Sequence, residues 1–123
     1  FSTSLFRLEL DSELPDGEWL VDTSQDRIII KAASNIIEIE QNLTNHEKGK
    51  SVLVNSIYFS TVMHATSELL NTSSLVDEVH WAKVFEQRMD ILNIPDTDPV
   101  YKIASKLMSW PLSDLETLTG VEE

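Results

Sequence analysis

Hydrophobic residues change their spacing along this chain, and the change fixes the order in which sheet and helix can occur. Across Phe6-Arg7-Leu8-Glu9-Leu10-Asp11, apolar and charged side chains alternate strictly. That is the period-2 pattern of a strand with one buried face. From Ser51 to Leu70 the apolar residues recur at Val54, Ile57, Tyr58, Val62, Ala65 and Leu69, the spacing of one helical face. Strands first and helices after predict an α+β fold, in which helices cover one face of a small sheet.

The strand half has its own punctuation. Leu14-Pro15-Asp16-Gly17 places proline and glycine where a tight turn needs a fixed and a positive φ. Glu18–Asp22 reads as a second strand, Thr23-Ser24-Gln25-Asp26 as a polar turn and Arg27–Lys31 as a third, β-branched strand. The connections are short, and parallel neighbours need crossovers of a dozen residues or more, so the expectation is an antiparallel meander of about three strands.

Residues 34–43 fit either period; Ser34 and Asn35 are good N-caps and tip the reading to helix. Asn45–Lys50 is a polar loop before the 51–70 helix. Ser74 and Asp77 read as a capping box for a helix reaching about Asn93, with Trp81, Phe85, Met89 and Leu92 as its buried stripe. Asp98-Pro99 opens another helix with Val100, Ile103, Ala104, Leu107 and Met108 inward, and Pro111 stops it. Leu112, Leu115 and Leu118 suggest a last short helix closed by Gly120. The expectation is one domain over residues 1–123 with three to four helices on the sheet, and the start at Phe1 reads as a piece of a longer protein.

Composition narrows the function classes. The chain has no cysteine, which removes disulfides, thiolate metal sites and a cysteine nucleophile, and fits a cytoplasmic setting. No apolar run approaches the ~20 residues of a membrane-spanning helix. Acidic residues number 21 against 9 basic, a formal charge of −12. Direct nucleic-acid binding wants the opposite sign, because affinity comes from neutralising phosphates. An acidic field instead suits solubility, or a basic partner steered in by it. The sequons at Asn42 and Asn71 would matter only in a secreted eukaryotic protein.

No catalytic residue, cofactor site or firm metal ligand identifies itself. His64 and Glu68 stand one helical turn apart and could share a metal or orient an imidazole, with His80 as a further weak ligand. Asp77-Glu78-Val79-His80-Trp81 gathers acids, imidazole and indole, yet acids in a first helical turn are explained by the dipole. Asp96-Thr97-Asp98 begins like a calcium loop and fails, since its sixth and twelfth positions hold Tyr101 and Leu107. Seven acids fall in residues 1–26, and Glu9, Asp11, Asp16, Asp22 and Asp26 mark a candidate interaction surface.

The expected function is therefore a non-catalytic accessory or protein-interaction domain of a larger bacterial or phage-type protein. Its partner would be another protein or other domains of its own chain. Two alternatives stand beside it: an acidic mimic of nucleic acid that occupies a basic protein, and a metal-binding or hydrolytic domain using His64 and Glu68.

Overall fold

In the computed structural model, which describes residues 5–43 and 54–108, three strands precede a helical half. The strands are β1 (Phe6–Leu10), β2 (Trp19–Asp22) and β3 (Ile28–Ala32). The helices are α1 (Ser34–Leu43), a π-helical turn (Val54–Tyr58) running straight into α2 (Phe59–Asn71), α3 (Leu75–Glu78), α4 (His80–Ile91) and α5 (Val100–Leu107). The α+β class is as the sequence implies, and residues 34–43 are helical. The expected loop at 45–50, residues 51–53 of the expected second helix and the expected 112–118 helix lie outside the described residues.

The sheet is not the meander. Its order is β1-β3-β2, with β2 antiparallel to β3 as expected and β1 parallel to β3. The crossover rule holds all the same. β1 and β3 are not consecutive, and residues 11–27 with β2 among them supply the long connection that parallel pairing needs. The physical cause is the apolar content of β3. Ile28, Ile29 and Ile30 are all buried, a run hydrophobic on both sides that belongs in the middle of a sheet. β1 and β2, each carrying charge on one face, take the edges.

Tight turns join these strands. Gly17 sits at φ 83 in a turn closed by Glu18 N–H donating to the Pro15 carbonyl at 3.1 Å. Its own N–H donates to Asn35 Oδ1 at 2.9 Å. Asn35 thus ties the β1–β2 link to the start of α1.

The register places Phe6, Leu8, Val21, Ile28 and Ile30 on one face. Phe6 meets Tyr58 edge-on, centroids 5.3 Å apart. Behind that contact α2 packs chiefly along α5, and the core is completed by Trp81 and Phe85 of α4, edge to face at 5.1 Å. Trp81, Phe85, Ile103 and Leu107 are fully buried.

The helix expected from Ser74 to Asn93 is two helices. Val79 is extended (φ −132, ψ 140), and Ser74 makes no side-chain capping bond. The break is imposed from the sheet. Asp26, in the β2–β3 turn, accepts His80 N–H on Oδ1 at 3.0 Å and Trp81 N–H on its backbone oxygen at 3.0 Å. Trp81 Nε1–H donates to the Thr23 carbonyl at 2.8 Å. These bonds satisfy the first donors of α4 from outside, so the helix starts afresh at His80.

Candidate functional site

The residues singled out by sequence do not converge. His64 Nε2 and Glu68 Oε1 face each other at 3.4 Å on α2, both well exposed. His80 lies on another helix, with its backbone held by Asp26. Among the described residues no three His, Asp or Glu side chains come close enough to hold a metal ion. None of the described helices is long and apolar enough to cross a membrane.

Glu9 lies within β1, and the acids of residues 11–26 divide between the two ends of the sheet. Asp11 and Asp16 lie in the link where β1 ends and β2 begins, while Asp22, the last residue of β2, and Asp26, in the turn after it, lie at the opposite end. Most hold local structure. Glu9 pairs with Arg7 at 3.0 Å, and Asp11 Oδ1 accepts Glu13 N–H at 3.0 Å. Asp22 accepts Ser24 N–H, the Ser24 hydroxyl and Gln25 Nε2–H at 2.6–3.0 Å. The Ser24 hydroxyl above all, with the Ser24 amide and Gln25 behind it, pulls the Asp22 carboxyl below its ordinary pKa.

What the fold does assemble is a cleft of about 410 Å³ between the end of α2, the 73–76 segment, α4 and the loop after it. Leu69, Leu70, Val76, Met89 and Ile94 give it an apolar lining, and Glu86, Asp90 and Asp96 add three carboxylates. The C-terminus of α4 builds the floor. Asn93 takes a left-handed φ of 54, its N–H donates to the Asp90 carbonyl at 3.2 Å, and Ile94 N–H donates to the Met89 carbonyl at 2.9 Å. This is a Schellman closure, which brings the residue after the cap against the last turn of the helix. Ile94 and Met89 are accordingly both buried, side by side under the cleft.

Two of its acids sit against local preference. Glu86 and Asp90 are i,i+4 like charges, which cost a helix about 0.2–0.5 kcal/mol. Asp90 also lies in the last turn, where the helix dipole favours cations. Such conflicts between local and global preference gather at working surfaces.

Sequence reading missed this site because its residues come from four separate segments. The i,i+4 acid pair beside Met89 is the one signal the sequence offers, and Asp96 reads there only as the start of a failed calcium loop. A shallower hollow of about 300 Å³ shares Val76 and is lined by Asp77, Glu78, Val79, His80 and Lys83. Trp81 is not part of it, because it is buried in the core stripe that the helical spacing implies and its indole is turned to Thr23. Comparison with protein families, with curated proteins and with solved structures finds no match to this chain.

Proposed function

We propose that this chain is a non-catalytic interaction domain that acts within a larger protein and receives a protein partner in the cleft between α2 and α4. The observation that carries the reading is the cleft itself, an apolar floor bordered by carboxylates on a chain of net charge −12. Concave apolar surface with a few placed polar groups is the usual form of a binding site. The two alternatives draw no comparable support. A nucleic-acid mimic needs carboxylates arrayed over one face, and here Asp11 lies at the opposite end of the sheet from Asp22 and Asp26, and these three are engaged in turns and a helix cap. A metal or hydrolytic site at His64 and Glu68 would need further groups, and among the described residues no third His, Asp or Glu joins them.

Selection of displayed random peptides on the immobilised domain tests the reading. Enriched peptides should bind the native chain and lose binding to Leu70→Ser, which strips one half-buried apolar side chain from the cleft wall. A selection that enriches nothing, or only peptides indifferent to Leu70→Ser in a variant that still melts cooperatively, sinks it.

A further inference from the structure

Resting on the cleft as the binding surface, we infer that its occupant is a basic amphipathic segment of a partner protein, with a large apolar side chain set between lysines or arginines. The apolar residue answers the floor of Leu69, Met89 and Ile94; the cations answer Glu86, Asp90 and Asp96. Among the described lining residues there is no lysine or arginine to neutralise those acids from within.

The other occupants fit worse. A bare metal ion needs three ligands in one place, and no three His, Asp or Glu side chains among the described residues form such a group. A second copy of the chain would bring another −12 of charge towards the same field. The chain's own residues 109–123 hold Asp114, Glu116, Glu122 and Glu123 and no base, so the rim repels them. A basic partner is drawn in by the field and held by the floor, a division of labour common to charged interfaces.

The like-charge pair gives the proposal a signature that a structural role would not give. Glu86 and Asp90 are exposed and cost α4 stability, so Glu86→Gln with Asp90→Asn keeps or raises the Tm. The same double variant should bind a basic partner about tenfold more weakly.

The probe is a short synthetic peptide with lysines on both sides of a Leu-Phe pair, titrated into the full chain by calorimetry. Three controls go with it: glutamates in place of the lysines, serines in place of Leu-Phe, and spermidine alone. The inference expects the lysine peptide to bind, both altered peptides to fall by about tenfold or more, and the double variant to lose affinity with an unchanged or higher Tm. Equal binding of the glutamate peptide, still sensitive to Leu70→Ser, overturns the basic occupant and leaves the interaction domain standing. Spermidine binding as tightly as the peptide replaces the segment with a small polycation and overturns it too. A gain of about tenfold on Lys48→Gln with Lys50→Gln would show the chain's own basic segment competing for the cleft, and that also overturns a partner as occupant. No binding of the lysine peptide ends the inference outright.

Discussion

Asp26 joins the two halves of the molecule through two of its atoms, a carboxylate oxygen on His80 N–H and a backbone oxygen on Trp81 N–H. A side chain at this place does the work of an N-cap although it is distant in sequence from the helix it caps, so Asp26→Ala should lower unfolding free energy by about 1 kcal/mol. Asp26→Asn, which keeps an acceptor, should lose less; equal urea midpoints for the native chain and Asp26→Ala would refute the cap. Asn93 is the second position where a single residue decides local structure. Its φ of 54 suits asparagine or glycine, so Asn93→Gly should be near neutral and Asn93→Val should cost about 1–2 kcal/mol, read from the same midpoints. Asp22 makes the stability sensitive to acid. Its folded pKa lies below the value of about 3.9 for an unfolded aspartate, so its contribution is complete above that pH. The contribution is lost as pH falls through the lowered folded value. Ser24→Ala removes the largest cause, and NMR titration of the Asp22 carboxyl should then show its pKa rising toward the ordinary range; an unmoved titration would place the cause elsewhere.

Elements were legible where one face of a single segment settles the matter. The alternation of β1, the Pro-Gly turn at 15–17, the β3 isoleucines and the faces of α2 and α5 can all be read from spacing, because each pattern is complete within its own segment. Strand order was less legible, since it depends on competition between strands for the centre of the sheet. The signal was present in Ile28-Ile29-Ile30, which has no polar side to offer water, whereas Trp19-Leu20-Val21-Asp22 has one. The division of α3 from α4 was not legible at all, because its cause, the Asp26 clamp, lies on another element. The cleft failed for the same reason: Leu69, Val76, Glu86 and Ile94 meet only once α2, α3 and α4 have packed. Centrality makes β3 the sensitive strand. Ile30→Ala, at a fully buried position flanked by both partners, should cost about 2–5 kcal/mol. Leu20→Ala on the exposed side of edge strand β2 should stay within about 1 kcal/mol. Similar losses at the two sites would contradict the β1-β3-β2 order.

For the whole molecule the governing quantity is the surplus of 21 acids over 9 bases. Ion pairs such as Arg7–Glu9 and Lys106–Asp98 are partly exposed and worth little each, so net repulsion should dominate the electrostatics of the folded chain. Screening relieves repulsion. Raising salt from about 0.02 M to about 0.2 M shortens the Debye length to below about 10 Å and should raise the Tm by a few degrees. Binding of a basic partner at the cleft draws on the same field with the opposite sign, so its association rate should fall over the same salt range. Stability rising while association slows is the combination that separates an interaction surface from an acid surplus kept only for solubility. Solubility alone accounts for the first response and has no reason to produce the second. Differential scanning calorimetry and stopped-flow association of the lysine peptide at matched salt concentrations measure both. A Tm that falls with salt would mean that attractive pairs outweigh repulsion in the fold, and an association rate indifferent to salt would remove the field from recognition.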